Sequence, residues 1–303
     1  MDARHCCIVL ALVILSGMPL VVGAAGSDAP DLLGRISESQ LREDPFATWF
    51  VPGYASYEPS SSGVAALRDV GSDRLDVTVF FGSWCGDSRR EVPRFVKLLD
   101  AIGFPRERVR LVGVDRSDDA VKRSPGGEER GQEIYRVPTF VVSRDGAEIG
   151  RVVEHPALSL ERDLLAIVRG QPYEPSYASY PTVRRWLDQG LLRDPNVSAW
   201  GLASQVRAGI VSEGELAAAA RVLLSRGQTI EAARLYEVNC ALFPESGVGF
   251  ARLAEALEAA GDLERARAAA ERALRLEDDP DRVAALVDLL DRTRSVAGPA
   301  DPS

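Results

Sequence analysis

The stretch of sequence that decides the fold is Asp76–Phe95, which reads DVTVFFGSWCGDSRREVPRF. Its first six residues, which end at Phe81, are mostly β-branched or aromatic, and this composition is typical of a buried strand. A helix is predicted after the short segment that starts at Gly82, and it contains Pro93. This order of strand, turn and helix puts Cys85 at the point where the helix begins.

The segments that follow extend the same pattern. They are a second buried strand (Arg108–Asp115), a third strand (Val137–Val142), a turn (Asp145-Gly146), a return strand (Ile149–Val153) and a closing helix (Leu158–Val168). An Asp-Gly pair between two strands is a strong signal for a β-hairpin. Alternating strands and helices that end in a hairpin predict an α/β fold with a mixed sheet and flanking helices.

The 303 residues suit roughly two domains, and their composition, 46% hydrophobic and 27% charged, suits a folded soluble protein. We divide the chain into a signal peptide (1–25), a mixed lead-in (26–59) and an α/β domain (60–170). A linker rich in Pro, Tyr and Ser (171–181), a helical domain (182–294) and a disordered tail (295–303) follow. The net charge of −9 comes without a clustered basic surface, so nucleic acid is not an expected partner.

The N-terminus has the pattern of a secretory signal peptide. Arg4 precedes an apolar run of 15 residues, Ile8–Val22, and small residues follow at Gly23 and Ala24. A spanning helix needs about 20 apolar residues, so we predict cleavage rather than an uncleaved anchor. Either outcome predicts a periplasmic or otherwise exported protein.

Cysteine and histidine are scarce once that peptide is removed. The mature chain keeps Cys85, Cys240 and one histidine, His155. Two cysteines do not make a disulfide framework, although an exported protein sits where disulfides persist. Zinc sites need several Cys and His ligands, so we expect neither a metal nor another cofactor. Without a nucleophile-elbow pattern, His155 is interpreted as a surface turn residue rather than a hydrolase base.

Three features of the α/β domain coincide in order and spacing. They are the Trp84–Ser88 motif WCGDS, Pro93 in the helix behind it, and Val137-Pro138-Thr139 before a strand. In these features the sequence over 60–170 resembles the thioredoxin superfamily, and it is similar to bacterial thioredoxin-like proteins with a WCxDS motif. The resemblance implies a thioredoxin-like fold.

The same resemblance implies a site made of Cys85, Ser88, Trp84 and Pro138. Pro138 would border Cys85 with a cis peptide bond, exposing the preceding backbone to an extended substrate; a trans proline at a strand start is the alternative. Trp84 would cover one side of the thiol, or simply pack.

The motif departs from ordinary thioredoxins at two positions. Ser88 replaces the second cysteine, and Val79 stands where the family usually carries a buried Asp. The start of a helix favours a thiolate at Cys85, and Ser88 is expected to donate a hydrogen bond to it. A mixed disulfide formed by Cys85 would then wait for an external thiol. The alternative is that Cys85 is an inert relic.

The C-terminal zone repeats with a period of 34 residues, so that Gly227 aligns with Gly261 and Ala232 with Ala266. It resembles tetratricopeptide repeats, which implies an all-α repeat domain. Helices predicted at Asn196–Gly209 and Asp281–Arg294 would flank and cap the two repeats. Cys240 is interpreted as a small buried packing residue, with a distant resolving thiol as the alternative.

These patterns predict an exported thioredoxin-like protein that performs monothiol thiol–disulfide exchange through Cys85. Its substrates would be exported polypeptides or a redox partner protein, and the repeats would make protein–protein contacts. The alternative is a redox-inactive protein in which both domains bind polypeptide.

Overall fold

The computed structural model describes residues 30–72 and 74–296, and the chain from Asp31 onward forms one compact unit. The predicted signal peptide, 1–25, lies outside these residues, and so does the predicted tail of 295–303 apart from residues 295 and 296, which end a helix instead. Within the two described ranges, no helix combines the length and the apolar character needed to cross a membrane.

A five-stranded mixed sheet lies in the first half of the unit. Its strands are β1 (Gly34–Ile36), β2 (Leu75–Phe81), β3 (Val109–Gly113), β4 (Thr139–Arg144) and β5 (Ala147–Val153). The order across the sheet is β1-β3-β2-β4-β5, with β2 and β3 parallel and the other pairs antiparallel. The predicted mixed sheet is confirmed, and the Asp145-Gly146 turn joins β4 to β5 with positive φ at both residues.

Among the described residues, five α-helices and a short 3₁₀ helix (Arg106–Arg108) accompany the sheet. The α-helices are α1 (Glu38–Leu41), α2 (Ala47–Ser56), α3 (Ser61–Val70), α4 (Gly86–Ile102) and α5 (Leu160–Arg169). The main core of this half includes Phe50, Val79 and Phe95. Phe80 belongs to a separate small cluster with Val112, because neighbouring strand residues point to opposite faces. Trp84 and Cys85 pack against that second cluster, which places them off the main core.

The segment before residue 60 is part of the sheet structure rather than only a lead-in to it. β1 pairs with β3, and the buried Phe50 of α2 joins the main core. α2 approaches α4 so closely that a Cβ on Gly53 would lie 2.7 Å from Cγ of Pro93. The α/β core therefore extends further toward the N-terminus than the predicted start at residue 60.

The second half of the unit is helical. Its helices are α6 (Ser179–Asp188), α7 (Ala199–Val206), α8 (Gly214–Ser225), α9 (Thr229–Leu242), α10 (Gly247–Ala259), α11 (Leu263–Leu274) and α12 (Pro280–Val296). α8 packs on α9, α10 on α11, and α9 on α10. The turns inside the two pairs carry Gly227 and Gly261, 34 positions apart, with φ of 77° and 81°. Glycine suits this left-handed conformation because it lacks a Cβ.

The two halves share a core. Tyr135 and Val153 of the α/β half belong to the same apolar cluster as Trp186 and the helices around it. The predicted linker contributes Tyr177 and Tyr180, which are buried and stack with ring centroids 5.3 Å apart. The linker region is thus packed between the halves.

Candidate functional site

Cys85 lies between β2 and α4. It is the N-cap residue of α4, with an extended backbone, and its N–H donates to the Gly82 carbonyl at 2.9 Å. Its own carbonyl accepts the first helical hydrogen bond, from the N–H of Arg89. The thiol is partly exposed and donates to the Val137 carbonyl, with 3.3 Å between Sγ and oxygen. The sequence motif and the start of β4 are therefore in direct contact.

The Val137-Pro138 peptide bond is cis, as the resemblance predicts. It precedes β4, which pairs with β2, so the pairing of these two strands brings Pro138 to Cys85. The Pro138 carbonyl accepts a hydrogen bond from the N–H of Glu154, at the end of β5. The carbonyl of Val137 faces the thiol.

Trp84 both packs and borders the thiol. Its Nε1–H donates to the Val114 carbonyl at 3.0 Å, which ties the indole to the residue after β3. The ring lies so close to Gly82 that a Cβ there would be 2.5 Å from Cε2. Lys122 lies over the indole, with its Nζ 4.3 Å from the ring centroid.

Ser88 does not make the contact that the sequence predicts. Its side chain is fully buried, and Oγ accepts a hydrogen bond from the N–H of Gly82 at 3.2 Å, whereas the thiol of Cys85 pairs with Val137. The hydroxyl faces inward because position 88 lies on the buried side of α4. The expected Ser88–Cys85 hydrogen bond is thus replaced by a bond that anchors the turn.

Cys85 opens into a cavity of about 180 Å³, and the helical half supplies one wall. Ala218, Arg221 and Val222 of α8 line it. Arg136, on another wall, donates through Nη2 to the Gly214 carbonyl at 2.9 Å, at the start of α8. The site is therefore a cleft between the two halves of the unit, and this arrangement was not predicted.

Lys122 also lines this cavity, and sequence reasoning missed it. Burial lowers the pKa of Lys122 to about 8; the thiolate of Cys85 acts in the opposite sense, while Arg221 and Arg136 lower the pKa further. The loop after β3 that holds Lys122 has no recognisable motif. Only the tertiary structure brings the ammonium group to the redox motif.

The other cysteine of the described ranges is a core residue. Cys240 is buried in the helical half, and burial, with a smaller contribution from Glu213, raises the pKa of its thiol to about 12. This confirms the packing interpretation. Val79 is fully buried in the apolar core, and His155 is exposed. Among the described residues, no group of three or more Cys, His, Asp or Glu side chains could hold a metal ion.

No family model matches the sequence. The chain is 31% identical over 93 residues to the mitochondrial Thioredoxin-3 of Saccharomyces cerevisiae, an alignment that spans 31% of this chain and 65% of the yeast protein. It is 31% identical over 93 residues to the thioredoxin of Echinococcus granulosus and 32% over 89 residues to that of Geodia cydonium, spanning 30% and 29% of this chain and 76% and 74% of those proteins. These alignments and the mixed sheet with its flanking helices show that the chain belongs to the thioredoxin family.

Proposed function

We propose that this protein carries out thiol–disulfide exchange with Cys85 as its only reactive thiol. One observation carries the proposal. Of the two cysteines in the described ranges, Cys85 opens into a cavity at the start of a helix, whereas Cys240 is buried with a raised pKa. The thioredoxin relatives support the general chemistry, and Ser88 in the WCGDS motif supports the single-thiol form of it.

The exchange proceeds in two steps. The Cys85 thiolate attacks one sulfur of a substrate disulfide, a mixed disulfide forms, and the other substrate sulfur leaves as a thiolate. An external thiolate then attacks the substrate sulfur of the mixed disulfide and releases Cys85 as a thiolate. The positive end of α4 stabilises the Cys85 thiolate in both steps. Lys122 adds a cation at the same cavity.

Ser88 is unsuited to resolve the adduct. Its oxygen accepts the Gly82 N–H inside the fold, and a hydroxyl cannot replace a thiol in forming a disulfide. The adduct therefore lasts until an external thiol arrives. Long-lived mixed disulfides of this kind can be trapped and identified.

The remaining parts of the proposal concern place and partners. The signal-peptide pattern of residues 1–25 supports export to the periplasm or beyond, and N-terminal sequencing that finds Met1 on soluble cytosolic protein would overturn it. The two helix pairs with matching glycine turns support tetratricopeptide-like repeats that contact a partner protein. The WCGDS motif supports kinship with the WCxDS proteins.

Ser88→Cys tests the mechanism. The native protein should turn over little in a dithiol-driven disulfide reduction assay, and the variant should gain turnover because an oriented intramolecular thiol can reach effective molarities of about 10⁵ M. Cys85→Ser should abolish all mixed disulfides, whereas the control Cys240→Ser should leave them intact. Native turnover equal to that of Ser88→Cys would contradict the single-thiol mechanism.

A second candidate is a redox-inactive protein that binds polypeptide. The wall that α8 builds over the Cys85 cavity favours it, since Ala218, Arg221 and Val222 restrict the approach of an extended disulfide substrate. The rate of alkylation by iodoacetamide separates the candidates. If Cys85 reacts no faster than an ordinary exposed thiol and no mixed disulfide can be trapped, the second candidate replaces the first.

A further inference from the structure

Buried polar atoms without partners gather around one cavity. Five buried side-chain polar atoms among the described residues make no hydrogen bond, and three of them belong to Glu133, Tyr135 and Arg226. These three residues line a single cavity of about 560 Å³. Buried polar groups are nearly always paired in folded proteins, so such a convergence requires a physical explanation.

The cavity lies between the two halves of the unit. The loop between β3 and β4 supplies Glu133 and Tyr135, and the C-terminal end of α8 supplies Arg226. Its volume falls in the range of about 300–1,000 Å³ that is usual for small-molecule sites. Tyr135 is 3% exposed, so its hydroxyl is held in place by a buried ring.

The unpaired groups differ in chemistry. Oε2 of Glu133 only accepts, Nη2 of Arg226 only donates, and the hydroxyl of Tyr135 does both. Oε2 of Glu133 lies 3.4 Å from Arg184, but without a hydrogen bond. Burial raises the pKa of the Glu133 carboxyl, Asp188 adds to the effect, and Arg184, Arg151 and Arg226 oppose it.

Glu133 and Arg226 thus present opposite charges to one cavity without pairing with each other. No ion pair joins Glu133 to Arg226 in the described ranges, although each influences the buried Tyr135. A buried polar atom without a hydrogen bond is costly, and Glu133 has only the 3.4 Å ion pair with Arg184. A ligand with one charge of each sign would give Oε2 of Glu133 and Nη2 of Arg226 direct hydrogen bonds at the same time. Water molecules could bond to these atoms singly but would leave the charges apart.

We propose that this cavity binds a small zwitterion, an amino acid or a short unblocked peptide, with its carboxylate on Arg226 and its ammonium group on Glu133. The hydroxyl of Tyr135 orients the ligand between them. Because Arg226 and Glu133 belong to different halves, the ligand ties α8 to the loop beside it. The proposal goes beyond thiol exchange and does not depend on Cys85.

Titration calorimetry of the full chain with L-alanine and trialanine tests the proposal. At least one of the two should bind, and its N-acetyl and C-amide derivatives should each bind about tenfold or more weakly, since each blocks one charge-assisted contact. This arm uses the native protein and so does not depend on a variant that folds. If neither probe binds, the cavity contains nothing but water and the proposal is overturned. Equal binding of the blocked and unblocked probes overturns it as well.

Two variants assign the ends of the ligand. Arg226→Gln should lower the affinity for the unblocked probe about tenfold but leave the affinity for its C-amide nearly unchanged. Glu133→Gln should also lower the affinity for the unblocked probe about tenfold, but leave the affinity for its N-acetyl form nearly unchanged. Arg267→Gln is the matched control, because its Nε is also buried without a partner but lies outside this cavity. An effect of Arg267→Gln as large as that of Arg226→Gln would contradict the assignment.

Discussion

Gly82→Ala should dislodge the indole that borders the candidate redox thiol. A Cβ at position 82 would lie 2.5 Å, 2.8 Å and 2.9 Å from Cε2, Cζ2 and Nε1 of Trp84, distances that no real Cβ tolerates. The backbone of Gly82 lies outside the positive-φ region, so alanine has no conformational penalty of its own there. The whole effect must therefore come from displacement of Trp84.

A hydrogen bond and close packing hold the indole of Trp84 in place, and both set the loss of free energy of unfolding. Displacement breaks the Nε1–H bond to the Val114 carbonyl, which contributes about 1 kcal/mol. Crowding of a packed site adds about 1–3 kcal/mol, so the free energy of unfolding should fall by roughly 2–4 kcal/mol. Gly86→Ala is the matched control on the other side of Cys85, since a Cβ there meets nothing within 4 Å.

Urea unfolding of the single and double variants measures this cost. In a Trp84→Ala background the clash is gone, so adding Gly82→Ala should cost close to nothing, and the coupling between the two substitutions should be about 2–4 kcal/mol. Displacement of Trp84 is refuted if Gly82→Ala unfolds like the native protein, or if Gly82→Ala lowers the free energy of unfolding equally with and without Trp84. Gly86→Ala should unfold like the native protein or slightly later.

Three further predictions concern Lys122, the buried Leu253 and the two cysteines of the described ranges. Burial lowers the pKa of Lys122 from 10.5 to about 8, so between these two pH values the unfolded chain binds this proton better than the folded chain does. The free energy of unfolding should therefore rise with pH over this range, and Lys122→Met should remove the rise from unfolding curves measured at several pH values. Leu253→Asp should cost several kcal/mol in thermal or urea unfolding because Leu253 is buried in α10, whereas Val248→Asp, at an exposed position of the same helix, should cost little. Iodoacetamide should label Cys85 in the native protein but Cys240 only in denaturant, as peptide mass spectrometry can show, because burial raises the pKa of the Cys240 thiol to about 12.

The sequence by itself determined the local parts of the site and the fold. The apolar run of β2 and the helix behind it put Cys85 at a helix start, and the Asp145-Gly146 pair marked the hairpin. The spacing of Gly227 and Gly261 marked the two helix pairs. These features follow from short-range periodicity and from the conformational freedom of single residues, which a sequence displays directly.

The structure of the lead-in and the linker depends on contacts with distant segments. β1 has three residues and pairs with β3 far along the chain, so its pattern was too short to identify a strand. The Pro- and Tyr-rich linker has a composition typical of a loose connection, but Tyr177 and Tyr180 are buried between the two halves. Burial of this kind depends on the partner surface, and composition carries no record of that surface.

Only the tertiary structure decided what surrounds the thiol. Lys122 stands over Trp84, and Arg221 of α8 closes the same cavity. Glu133 and Arg226 line a second cavity between the same two halves. These side chains come from segments that are distant in sequence and have no shared periodicity. Their proximity results from the packing of α8 against the loop between β3 and β4, and that packing depends on the shape and charge of both surfaces together.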